Sequence, residues 1–226
     1  MMSSDSISLA LANYYLECFE KFGAEPRGVG WGPDQRDHEL RLDVLLEGIS
    51  RASVGNPAPT LLDVGCGYGS LLDRAINREV GIDYSGIDMC EPMINEARKR
   101  HPNANWIVGD FMKEPVAGRY DFVVSNGVLT QKLEATSHEM DEFLKLFVAK
   151  MFDAARVGVA FNVMTSFVDF EEPNLYYREP SGLLNWCMTE LSPKVILNCA
   201  YPLFEFTVFL YREDAPGFRY GDHRTT

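Results

Sequence analysis

The residues able to do chemistry stand in four short segments, each closing an apolar run. Gly65-Cys66-Gly67-Tyr68-Gly69 follows Thr60-Leu61-Leu62-Asp63-Val64. Glycines in such a turn permit positive φ and let a ligand approach bare backbone. The helix starting there leaves N–H groups free. Asp88 closes Ser85-Gly86-Ile87 about 20 residues past the turn, where an acid accepts ribose hydroxyl protons. Gly109-Asp110-Phe111 is placed to bind a base edge and stack on its ring, and Ser125-Asn126-Gly127 faces the first turn. Read singly, Asp63 equally ends a strand and Asp88 equally caps a helix. Placed jointly at successive strand ends, they favour an adenosine cofactor.

The spacing narrows the choice. A dinucleotide fingerprint requires G-x-G-x-x-G, but its third glycine would fall on Ser70. No G-K-[ST] follows the glycines, so a phosphate-cradling loop is excluded. Cys66 has no flanking His or Lys to lower its pKa and reads as a small turn residue. The four histidines lack metal-ligand spacing, so no metal is expected. His138 is the candidate general base, against the plainer reading of a solvated first-turn histidine. His38, His101 and His223 read as surface residues. Phe167, Phe170, Tyr176, Tyr177 and Arg178 form an aromatic segment too long for a simple connection, which favours a lid over substrate. Arg178 either meets an anionic group on substrate or pairs with Glu171 or Glu172.

Elements must carry these segments. Helices are predicted over Ser8 to Phe22, with Leu9, Ala12, Leu16 and Phe19 on one face, and over Asp34 to Ser50. The glycines and prolines from Gly23 to Pro33 exclude regular structure. Strands are expected at 60–64, 85–88, 105–108, 120–124 and 157–163. Helices are expected at 70–77, from Pro92 to Arg100, after the capping box of Thr136 and Glu139, and at 181–191. Lys194 to Tyr201 and Phe204 to Tyr211 are separated only by Pro202-Leu203, which forces an antiparallel pair. The fold class is therefore α/β: a Rossmann-like, seven-stranded, mostly parallel sheet with a terminal antiparallel hairpin and helices on both faces. Residues 1–58 read as an N-terminal helical lid and 59–226 as one compact cofactor-binding domain.

The chain has 226 residues, 46% hydrophobic and 24% charged, enough for a sizeable core. Its formal net charge of −12 disfavours a nucleic-acid partner. The cluster Arg98-Lys99-Arg100 ends a predicted helix, where the helix dipole accounts for it. Five scattered cysteines without C-x-x-C argue for free thiols in a reducing compartment. No apolar run approaches membrane-spanning length, and no secretory signal is legible. The expected location is the cytoplasm, without a membrane partner, and a homodimer is left open.

Leu61-Leu62-Asp63-Val64-Gly65-Cys66-Gly67-Tyr68-Gly69 resembles the first motif of class I S-adenosylmethionine (SAM)-dependent methyltransferases, the small-molecule type. Gly86-Ile87-Asp88-Met89, Gly109-Asp110-Phe111 and Tyr120 to Asn126 resemble the second, third and fourth, and the resemblance covers roughly residues 60 to 211. It implies that Gly65, Cys66 and Gly67 lie against the methionine part of SAM and that Asp63 helps hold its amino group. Asp88 would bind the ribose, Met89 would pack on adenine, and Asp110 would accept from the adenine amino group beside Phe111 and Gly109. Asn126 joins the cofactor set, and Tyr14, Trp31 and Arg41 are the lid residues expected to close over it. Tyr176, Tyr177 and Arg178 are the substrate-side candidates. The implied activity is methyl transfer to O or N of a small molecule, such as a sugar or secondary-metabolite intermediate. The alternatives are a non-catalytic SAM-binding subunit and an aminopropyltransferase-like enzyme; the latter needs an acid where Ser125 and Asn126 stand.

Overall fold

The computed structural model describes residues 2–53, 55–115 and 120–215. In chain order the helices are α1 (Ser4–Phe22), α2 (Gln35–Ala52), α3 (Ser70–Asn77), α4 (Glu91–Arg100), α5 (Ser137–Ala154) and α6 (Pro180–Glu190). The strands are β1 (Thr60–Val64), β2 (Asp83–Asp88), β3 (Asn105–Val108), β4 (Tyr120–Ser125), β5 (Ala155–Thr165), β6 (Tyr177–Arg178), β7 (Val195–Asn198) and β8 (Glu205–Tyr211). They form a sheet of order β3-β2-β1-β4-β5-β8-β7, with β6 pairing β5 off this path. The first five strands run parallel, while β8 is antiparallel to β5 and β7 to β8.

Alternation along β1 divides the core in two. Leu62 and Val64 face α1 and α5, whereas Leu61 faces α2 and α3. A strand buried on both faces reads as a near-continuous apolar run, and in β1 only Thr60 and Asp63 interrupt it. Capping fixes the helix starts. Asp34 Oδ1 accepts the Arg36 N–H at 2.8 Å ahead of α2. Thr136 and Glu139 form the expected reciprocal box ahead of α5.

Several expectations change. The sheet has an eighth strand, because Tyr177 and Arg178 pair with Met164 and Thr165; two residues are too few to show alternation. The hairpin connection spans 199–204 instead of Pro202-Leu203. The chain turns early there, where Asn198 Oδ1 accepts the Ala200 N–H at 2.9 Å. The glycine-rich stretch contains a 3-10 turn at Pro26–Val29, with Pro26 starting it and Gly30 ending it in the left-handed region. The face of α1 is rotated from the predicted one: Ile7, Ser8 and Leu11 are buried and Leu9 is 57% exposed. His38 is buried, not surface. His101 is partly buried and meets Asp73 at 2.6 Å. His223 lies outside the described residues. No helix among the described residues is long and apolar enough to cross a membrane.

Candidate functional site

The carboxyl ends of β1, β2, β3 and β4 are tied together before any ligand is considered. The N–H groups of Gly65 and Cys66 donate to Ile87 O at 2.9 and 3.2 Å, and Gly109 N–H donates to Asp88 O at 2.9 Å. Ser125 Oγ donates to Val64 O at 2.9 Å. Asp88 takes the Gly67 N–H on Oδ2 and the Cys90 N–H on Oδ1, both at 2.8 Å. The carboxylate also lines the cavity, where it can accept from hydroxyl donors. Gly67 sits at φ +55°, and a Cβ there would come within 2.9 Å of Val29 Cγ1. Both facts restrict the position to glycine.

These ends open into one cavity holding about 700 Å³ of empty space, part of it open to solvent. Gly65, Gly67, Asp88, Met89, Gly109, Asp110, Phe111 and Asn126 all line it. Two of their polar atoms, Asp110 Oδ2 and Asn126 Oδ1, are buried without a hydrogen-bond partner among the described residues. An unsatisfied buried polar atom costs about 1–3 kcal/mol, so the cavity fits a ligand presenting hydrogen-bond donors there. The adenine amino group and the ammonium of SAM are such donors.

Not every expected residue reaches the wall. Asp63 lies beneath it, accepting the Tyr84 hydroxyl at 2.8 Å, and burial pushes its carboxyl up to about 7. Cys66 is buried below the turn against Gly86, and burial raises its thiol. Tyr14, Trp31 and Arg41 are outside the lining: Tyr14 packs on Gly30, and Arg41 lies over the Trp31 ring at 3.9 Å and pairs with Glu205 at 2.9 Å. Tyr176 is fully buried with its hydroxyl on Asp141, and Arg178 pairs with Asp141 at 2.7 Å, not with Glu171 or Glu172. Tyr177 accepts the Glu172 N–H at 3.1 Å, and His138 is exposed.

The N-terminal residues that do form the wall are Ser8, Leu11, Ala12 and Tyr15, with Val29 from the 3-10 turn. Their 3- and 4-residue spacing along α1 was the available signal, masked by the more apolar neighbouring face. Tyr15 donates its hydroxyl to Gly127 O at 3.0 Å, and burial raises its pKa. Phe143 and Phe147 close the floor from α5, with Phe147 edge-on to Phe111 at 5.5 Å.

Residues 61–146 match a family model described as a methyltransferase domain. A protein of Mycobacterium tuberculosis named as a methyltransferase is 31% identical over 153 residues, which are 66% of this chain and 90% of that relative. The chain belongs to the class I SAM-dependent methyltransferases. This methyltransferase also shares the fold of magnesium protoporphyrin IX methyltransferase from Synechocystis PCC 6803, solved with bound SAM. The TM-score is 0.63 at 16% identity, over 94% of this chain and 98% of that one. Over 68 residues it is 38% identical to the dTDP-3-amino-3,4,6-trideoxy-alpha-D-glucopyranose N,N-dimethyltransferase of Streptomyces venezuelae, 30% of this chain and 28% of the relative. The enzyme's cofactor is SAM, and the orphaned Asp110 and Asn126 atoms fit it.

Proposed function

We propose that this methyltransferase acts on an oxygen or nitrogen of a small molecule, with residues 1–58 serving as a lid over the cofactor. The observation carrying this reading is that α1 itself walls the cavity through Ser8, Leu11, Ala12 and Tyr15. A helix covering one side of a cavity otherwise partly open to solvent suits a compact acceptor. The formal net charge of −12 also disfavours a nucleic-acid acceptor. The local likeness to an aminosugar dimethyltransferase agrees with a small acceptor.

SAM supplies a methyl group already activated on sulfonium, so transfer is an in-line displacement and the protein's task is alignment and exclusion of water. Asp88 would take the ribose hydroxyls, Asp110 Oδ2 the adenine amino group, and Met89 and Phe111 the ring faces. Gly65 and Gly67 let backbone approach the methionine part. Asp63, held by Tyr84 below the wall, supports the turn from beneath. A low-pKa amine needs no base, whereas an alcohol is helped by one. His138 does not line the cavity.

Incubation with SAM carrying a tritiated methyl group and a panel of small acceptors tests the reading. Label in a small-molecule product supports it. Label only in macromolecules, or in nothing, contradicts it.

A further inference from the structure

The two edges of the sheet differ. At the β3 edge Arg98 Nη2 donates to Trp106 O at 3.1 Å, so a side chain already occupies a strand carbonyl. The β7 edge has no such cover among the described residues. Tyr211 N–H donates to Lys194 O at 2.9 Å, which sets the phase of the β7–β8 ladder. Bonded and non-bonded pairs alternate in an antiparallel ladder. Ile196 and Asn198 therefore bond to β8, and the N–H and C=O groups of Val195 and Leu197 point outward. No hydrogen bond from the described residues reaches those groups. β7 reads Val-Ile-Leu-Asn, every residue half-buried, without the proline or lysine that blunts an exposed edge.

A groove runs along this edge on the α2 side. Val44, Gly48, Ile196 and Phe209 supply its apolar lining, with Glu47 and Arg51 exposed beside them. Neither Glu47 nor Arg51 forms a hydrogen bond or ion pair with a described residue. None of these residues lines the cofactor cavity.

Their order along the groove is that of a self-complementary surface. A Cβ on Gly48 would strike Phe209, and Phe209 pairs with Ile196. Ile196 is therefore level with the turn of α2 between Glu47 and Arg51. Arg41 pairs with Glu205, so α2 runs in the direction of β8 and against β7. Glu47 thus stands toward Asn198, and Arg51 toward Val195. Lys194 shares the Ile196 face by alternation and lies at the Arg51 end. One end of the groove is cationic and the other carries the carboxylate. A two-fold axis through Ile196, perpendicular to the sheet, sets Val195 of one copy against Leu197 of the other, so their outward N–H and C=O groups bond reciprocally. The same axis sets Glu47 against Arg51 and Lys194 of the second copy, and the reverse. An isologous interface requires this self-complementarity. The formal net charge of −12 opposes approach, but it is screened beyond about 8 Å at physiological ionic strength.

We propose that the occupant of this edge is a second copy of the chain: β7 pairs antiparallel with β7 about a two-fold axis at Ile196, joining two sheets into one, with Glu47 and Arg51 matched across the axis. The interface is separate from the methyl-transfer site and does not depend on the acceptor.

The test uses the full chain. Sedimentation over a concentration series should reach twice the chain mass. The Val195 and Leu197 amides should be protected from hydrogen exchange in concentrated protein and exchange freely on dilution. Glu47→Arg and Arg51→Glu alter exposed residues, and each change counts twice across the axis. Each should raise the dimer dissociation constant about tenfold or more. The double variant restores opposite charges and should recover most of the lost affinity. Binding of S-adenosylhomocysteine (SAH) should stay within about twofold in all three, since the groove is apart from the cavity. A monomer at every concentration overturns the proposal. So does a dimer that neither single variant weakens, or whose loss the double variant fails to rescue. Protection of Val195 and Leu197 that does not change on dilution means the edge is covered within one copy, and also overturns it.

Discussion

Asp63 carries a charge-state cost that sets a pH dependence. Burial raises its carboxyl to about 7, against the opposing hydrogen bond from Tyr84. A carboxyl that holds its proton more tightly folded than unfolded contributes stability below its ordinary value near 4, and that contribution is lost as pH rises through about 7. Asp63→Asn removes the ionisation and can keep the Tyr84 bond. Thermal melts should show the variant more stable than wild type at about pH 8, by up to about 4 kcal/mol, with the gap closing toward pH 4. An equal difference at every pH would contradict the burial argument. Asp110 makes a different prediction. Its Oδ2 has no hydrogen-bond partner among the described residues, and Lys113 Nζ stands 3.7 Å away. Asp110→Ala removes the proposed adenine partner, so calorimetry should find SAH binding weakened about tenfold or more. Unchanged affinity would remove Asp110 from the adenine site. Asp88 and Asp110 were legible in the sequence because each acid sits at a strand end. The pairing of Arg178 with Asp141 was not, because the partner comes from a distant helix and spacing along the chain carries no trace of it.

At the scale of elements, boundaries set by local chemistry were legible. The extents of β1, α3 and β3 agree with the residues expected, since glycines and apolar runs delimit them. The capping box of α5 was read from Thr136 and Glu139 alone. Glu139 accepts the Thr136 N–H at 2.8 Å and Thr136 accepts the Glu139 N–H at 3.2 Å. Thr136→Ala should therefore destabilise the protein by about 1 kcal/mol in denaturant melts, and no loss would mean that packing of Phe143 and Phe147 alone sets that helix start. Where tertiary packing chose among faces, local pattern failed. Leu9 is more apolar than Ser8, yet α1 turns Ser8 and Tyr15 to the cavity and leaves Leu9 in solvent. Burial in β6 depends on the tail of β5 and could not be read from two residues.

Across the whole molecule, the parallel strands do one thing in common. They bring bare backbone from β1, the Asp88 carboxylate from β2, Asp110 from beyond β3 and Asn126 from beyond β4 to a single cavity beneath α1. Hydrogen bonds between neighbouring strand ends hold that geometry in the free protein, so the cofactor meets a largely formed site. The order of these segments and an N-terminal helical cover were read from the sequence; which residues of α1 line the cavity emerged only from packing. A crystal structure with SAH bound tests this most directly. One ligand should span Gly67, Asp88 and Asp110, with Asp110 Oδ2 and Asn126 Oδ1 each gaining a donor. SAH bound elsewhere, or bound with both atoms still unpartnered, would contradict the account.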